Sequence, residues 1–337
     1  ASGNCLGLLV EEARTNLLPY SEPDSRSLGV STVGRWVFDE LNPATEIINV
    51  LGPDGINNSA RECLLSTSSF DLYAFMVPVV SGNKYTVSAY VKLGTATNLA
   101  IHVNNTAAWN SVPDGAKTFT SADGLNTETF TKISITFTAP SNNLVNVHIG
   151  GHSGTQLQPQ QSPGTVVLYG VQLEAGSFMT STIPTSGSAV TRAADVASLA
   201  VSEFGYNQDQ GTVVVEYQTE TDGGTTRIAE LELDTDNRIT LFQGGLGEAP
   251  KLFVRNNGVS QADYGTSNVT AAGTNKVATS LKQNDTALVL SGGTVATDTS
   301  VTLPTVDTLL LGDSNATGSL NGHIKSIQYY PLRLSNA

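Results

Sequence analysis

Cysteine is nearly absent from this 337-residue sequence, with Cys5 and Cys63 the two present. Two thiols exclude a disulfide-built scaffold and leave either a single bridge or two buried free thiols. Charge is scarce as well, at 14% of residues, and it runs acidic to a net −13. Residues 1–190 carry 14 acids against 8 bases, and residues 191–337 carry 16 against 9. Acidity spread so evenly repels phosphate backbones, which argues against nucleic acid as a partner. Nowhere do 18 apolar residues run together, so membrane insertion by a spanning helix is not expected. Amphipathic stretches of period 3.6 are lacking too. The nearest approach, "AADVASLAVSEF" at 193–204, reads as connecting chain with one helical turn. The sequence opens on Ala1, without a methionine or a signal-peptide pattern, as expected for a chain whose leader was removed or for a piece of a longer one.

What is abundant is Thr, Ser, Asn and Gly, a mixture suited to short strands and turns and poor for helices. Strand signals recur in "CLGLLVEE", "YAFMVPVV", "KYTVSAYVKL", "NLAIHVN", "FTKISITFTA", "LVNVHIGG" and "TVVLYGVQLE". Turn-forming stretches such as "NNTAAWNSVPDGAK" and "GHSGTQLQPQQSPG" separate them. After Glu174 the texture changes to a Ser, Thr, Gly and Pro-rich connection, and a second strand series follows. The expectation is an all-β protein of two tandem antiparallel β-sandwiches of jelly-roll type: domain one over 1–184, a linker over 185–200 and domain two over 201–337.

Three segments carry a resemblance: "GLLVEEARTNLLPYSE" (7–22) with "YTVSAYVKLG" (85–94) behind it, "YGVQLEAGSFMTSTIPTSGSAVTRAADV" (169–196), and "LLLGDSNATGSLNGHIKSIQYYPLRLSNA" (309–337). In order and spacing the chain resembles structural adhesion proteins of tailed bacteriophages and prophages. Its first domain is similar to a carbohydrate-binding-module jelly roll, its second to a concanavalin-A-like, laminin-G-like sandwich. The resemblance implies a non-enzymatic fibre, spike or decoration protein on the virion surface. Its implied partners are other virion proteins and host-surface polysaccharide, and the assembly expected is a homo-oligomer, with a trimer as the guess. It also implies that the chain is trimmed at both ends. Two other readings stand beside it: a secreted concanavalin-fold glycan hydrolase, and a capsid brace without glycan affinity.

The hydrolase reading rests on "RIAELELDTDNRITLFQ" (227–243), where Glu230, Glu232, Asp234 and Asp236 fall at every second position. Alternation puts all four on one strand face, and paired carboxylates are what glycosidases use. The bland expectation is that Leu231, Leu233 and Ile239 face the core and the carboxylates face solvent. The order does not match the Glu-x-Asp-x-(x)-Glu strand of laminarinase-like enzymes, and this half of the chain has no tryptophan to floor a sugar cleft. Oxygen ligands at the bend, Asp234, Asp236 and Asn237, make a structural calcium conceivable, with turn capping as the alternative. The jelly-roll resemblance implies a second calcium candidate at Glu174.

The histidines form no catalytic set, and His102 and His148 are expected to be core or cross-strand residues. Sugar binding calls for an aromatic platform rimmed by amides and carboxylates. Trp109, in a polar loop beside Asn104, Asn105, Asn110 and Asp114, is the best candidate for it, with packing into its own domain as the alternative. Trp36, in "GRWVFDE", is the other platform candidate, with packing into its own jelly roll as the favoured reading. Tyr264, flanked by Gln261 and Asp263, is the counterpart in the second domain.

Overall fold

The structure, a computed structural model, describes residues 6–23, 36–38, 47–65, 72–106, 111–150, 161–219, 225–244, 247–271, 273–313 and 318–336. The chain forms two units, residues 14–192 and residues 1–13 with 193–337. Each is an antiparallel sandwich with its own apolar core. Helical structure among the described residues is limited to the short 3-10 turns Ser121–Asp123 and Val201–Phe204. No helix among them is long and apolar enough to cross a membrane.

In the unit of residues 14–192, one sheet runs in the order Thr131–Thr138, Lys84–Leu93, Gly164–Ala175, Ala60–Leu65, Ile47–Val50. The facing sheet runs Trp36–Phe38, Leu72–Pro78, Leu144–Ile149, Leu99–Asn105, Ser111–Phe119. Alternation decides what is inside. In Lys84–Leu93 the inward positions are Tyr85, Val87, Ala89, Val91 and Leu93, all in the core. Trp36 also belongs to this core, 1% exposed, and its indole donates to the Tyr20 carbonyl at 2.8 Å. Cys63 is a free, buried thiol in the same core; burial first, and then the nearby Glu22 charge, push its pKa up to about 12. Cys5 lies outside the described residues.

Two of the quoted segments lock together in this unit. Asn16, fully buried, spends its amide on Val171 O at 3.4 Å and Ile183 O at 3.0 Å, and accepts from the Leu18 and Leu173 amides at 3.1 and 3.2 Å. Residues 14–22 are thereby seated between the strand Gly164–Ala175 and the returning chain at 180–187. Ser21 with Thr185, and Pro19 with Gly187, continue the seam. At its end the Glu22 carboxyl accepts from the Gly170 amide at 2.7 Å, where the strand is bulged between Tyr169 and Gln172. Gly170 has φ +61°, and a Cβ there would lie 2.5 Å from Thr182. The bulge therefore requires glycine on both counts.

In the other unit one sheet has the order Leu8–Val10, Gly322–Tyr330, Gln210–Thr219, Asn275–Lys282, Thr286–Leu290, Ala296–Asp298. Its partner sheet runs Ser198–Ala200, Thr308–Leu311, Thr226–Asp234, Asn237–Gln243, Lys251–Asn256, Val259–Gly265. The placement of the first residues differs from the expected boundaries. Leu8–Val10 does not begin the first domain but pairs with Gly322–Ile324, and Glu12 exchanges hydrogen bonds with Asn321. Val10, fully buried in the second core, supplies the apolar anchor. The expected linker also carries structure. Val190–Arg192 pairs with Arg14–Asn16, and Ser198–Ala200 pairs with Thr308–Leu310.

Candidate functional site

The carboxylate strand departs from its expected form. Glu230 is fully buried, not solvated, and accepts from Thr240 Oγ1 and from Arg227 Nε at 3.3 Å. Leu233, expected in the core, is 49% exposed. The reason is local: the pairing with Asn237–Gln243 shifts register between Glu232 and Asp234, so strict alternation ends there. Glu232 sits half-buried opposite Arg238, and Asp234 reaches the exposed bend. Glu230 and Glu232 are thus not a pair of carboxylates on one open face.

The calcium candidates meet the same kind of test. Asp234 Oδ1 accepts from the Asp236 amide at 2.9 Å and from Asn237 Nδ2 at 3.0 Å, and these bonds hold its carboxyl below the ordinary aspartate range. Asp236 faces Arg255 at 3.3 Å. Glu174, fully buried, accepts from Gln172 Nε2 at 2.7 Å, from the Thr180 amide at 3.2 Å and from Thr180 Oγ1. Both sets are occupied by protein donors, and among the described residues no group of three or more His, Cys, Asp or Glu could hold a metal.

A different arrangement comes together in the sandwich of residues 14–192. Ile101, Val103, Val145, Val147 and Ile149 face its core, so His102, Asn104, Asn146 and His148 point to the other side of the sheet. His102 and His148 are cross-strand partners with rings stacked 4.2 Å apart at 8°. Asn104 pairs with Asn146 and accepts from its amide at 3.0 Å. Asn146 Oδ1 in turn takes the Met76 amide at 2.8 Å, where the strand Leu72–Pro78 is bulged and Met76 has φ +52°. Asn104 Nδ2 is buried and without a hydrogen-bond partner among the described residues. At the strand end, Asn142 Nδ2 donates to Asn105 Oδ1 at 3.3 Å and to Thr106 Oγ1 at 2.8 Å. The result is a row of imidazoles and amides that is fully buried from His102 and His148 to Asn104 and Asn146 and ends in half-buried Asn142 and Asn105.

Of the residues singled out from sequence, Asn104 and Asn105 lie in this row. Asp114 is exposed on the neighbouring strand Ser111–Phe119, in a bulge with φ +60°. Trp109 and Asn110 fall outside the described residues. Tyr264 is not an outward platform. Its ring packs against the second core, its hydroxyl bonds Thr286 at 3.0 Å, and burial raises its pKa. Sequence reasoning missed Asn146 and Asn142, whose signal was the Asn spacing in "SNNLVNVH".

No family model and no curated protein matches the sequence. Among solved structures, the chain is similar to the CBM40 of the Ruminococcus gnavus IT-sialidase bound to α2,3 sialyllactose. The identity is 20%, over 39% of this chain and 80% of that one, with a TM-score of 0.32. The NanB sialidase from Streptococcus pneumoniae matches at 18% identity over 42% of this chain and 25% of that chain, with a TM-score of 0.34. Chicken galectin 2 matches at 11% identity over 37% of this chain and 95% of that chain, with a TM-score of 0.28.

Proposed function

We propose that this chain is a non-enzymatic glycan-binding attachment protein, carried on the surface of a phage-like particle and working as one copy among several. The observation that carries the binding part is the row His102, His148, Asn104, Asn146, Asn142, Asn105. The half-buried amides at its end, Asn105 and Asn142, supply the donors and acceptors that sugar hydroxyls require, while His102, Asn104, Asn146 and His148 are buried and support them. Trp109, in the adjoining stretch of sequence, supplies the aromatic surface for the apolar face of a sugar ring. The particle assignment rests on the three resembling segments, and with it come the other virion proteins as partners and a trimeric assembly. Copy number then multiplies weak contacts.

The test is a panel of bacterial surface polysaccharides offered to the full chain, with bound protein and released reducing ends both measured. Retention without release is expected. Trp109→Ala and Asn105→Ala should each weaken retention by about tenfold, or ~1.4 kcal/mol, while leaving the melting midpoint in place. Release of reducing ends, lost in Glu230→Gln, would replace this reading with the hydrolase. Retention on no polysaccharide would leave the capsid brace.

A further inference from the structure

The same sandwich carries a second surface, on the outer side of its other sheet. There Tyr90 and Tyr169 are cross-strand partners, half-buried, with ring centroids 6.1 Å apart at 57°. On the far side of Tyr90, Lys132 is its partner in the next strand. The Lys132 amine lies 5.3 Å from the Tyr90 centroid and donates to the Thr180 carbonyl. Two residues along from Tyr90, the Lys92 amine lies 5.4 Å from the Phe130 centroid and forms no ion pair among the described residues. On the opposite flank stands Asp54, whose charge acts on the Tyr169 phenol and which is fixed by Ser59 Oγ at 2.6 Å and the Ile56 amide at 3.0 Å. Glu62 is a further acid in the row, separated from Lys92 by Val167, and the Glu22 charge also acts on the Tyr169 phenol. The shelf is therefore polarised, with amines at the Tyr90 end and a carboxylate at the Tyr169 end.

We propose that this shelf binds a hexuronate residue of an acidic polysaccharide. The flat C–H face of the pyranose lies on Tyr169, with Tyr90 tilted against its edge, and its carboxylate is drawn to Lys92 and Lys132. Its hydroxyls at the other end donate to Asp54. Two features select this ligand over a neutral sugar. A chain of net charge −13 presents amines here beside half-buried tyrosine rings, and Lys92 forms no ion pair among the described residues. The inference deepens the glycan-binding reading at a place separate from the amide row.

Oligogalacturonate, its fully methyl-esterified form and polyglutamate, titrated into the full chain, test it. Oligogalacturonate should bind, and the neutral ester about tenfold more weakly. Polyglutamate, which has the charge and no ring, should not compete. Tyr169→Ala and Lys92→Ala should each lower oligogalacturonate affinity about tenfold, and Lys92→Ala should leave the ester unaffected. Tyr169→Phe, which keeps the ring, should bind within about threefold of wild type and guards against a folding effect of the alanine. Trp109→Ala should not alter oligogalacturonate binding, so failure at the amide row and failure at the shelf are distinguishable. Competition by polyglutamate, no effect of Tyr169→Ala, or no binding of oligogalacturonate would each overturn the proposal.

Discussion

Replacing Glu174 by alanine should lower the stability of the protein by about 2–6 kcal/mol, measured as a shift in the denaturant midpoint. The carboxylate is the acceptor for Gln172 Nε2, the Thr180 amide and Thr180 Oγ1 in a fully buried place. Gln172 keeps other acceptors in Thr180 O and Ser181 O at 3.1 and 3.4 Å, but both Thr180 donors lose theirs. Two stranded buried donors, at ~1–3 kcal/mol each, set the range. Glu174→Gln retains one acceptor oxygen and should cost about half as much. Because the oxygens are taken by protein donors, adding EDTA should leave the wild-type midpoint unchanged. A midpoint that falls with EDTA and recovers with calcium would place a metal at this carboxylate instead.

The second large effect is a loss of stability as pH rises, centred on Glu22. Burial pushes the Glu22 carboxyl up to about 8 from an ordinary 4.5, against the opposing pull of the Gly170 amide and Arg61, with Asp54 adding to the rise. One of its oxygens, Oε2, is buried without a hydrogen-bond partner among the described residues. A folded-state pKa above the unfolded one means that the folded protein holds a proton the unfolded chain has released. The contribution is thus fully present below about 4.5 and is lost as pH climbs through about 8. Between those limits the slope approaches ~1.4 kcal/mol per pH unit, the value for one proton. Glu22→Gln should flatten this part of the curve and make the protein more stable than wild type at pH 8. A wild-type curve already flat between pH 5 and 8 would show that Glu22 is ionised in the folded state.

Much of the fold could be read from residue order because the strands are strongly patterned. "KYTVSAYVKL" forms the strand Lys84–Leu93 along its whole length, since its β-branched and aromatic residues alternate cleanly. The strand Ser111–Phe119 was not visible, because Pro113, Asp114 and Gly115 read as a turn. They form a bulge instead, between the Ser111 and Ala116 pairings with Asn104 and His102. The pairing of Leu8–Val10 with Gly322–Ile324 joins the two ends of the sequence, and no local pattern announces such a contact. The same limit applies to the sites. Asn104 and Asn105 were legible as amides near a tryptophan, but their partners Asn146 and Asn142 lie some 40 residues on. The Tyr90–Tyr169 shelf depends on cross-strand register, which turns and bulges set and composition does not. Glu230 was misplaced although alternation holds around it, with Ala229 and Leu231 in the core, because its own face was taken as solvated, and there it is buried against Thr240 and Arg227.

Amide hydrogen exchange of the full chain, with and without the polysaccharide it binds best, tests the central claim that the half-buried end of the amide row, at Asn105 and Asn142, is the recognition surface. Protection is predicted in Leu99–Asn105 and Leu144–Ile149, with Thr226–Asp234 unchanged. Protection confined to Thr226–Asp234, or none in the sandwich of residues 14–192, would contradict it.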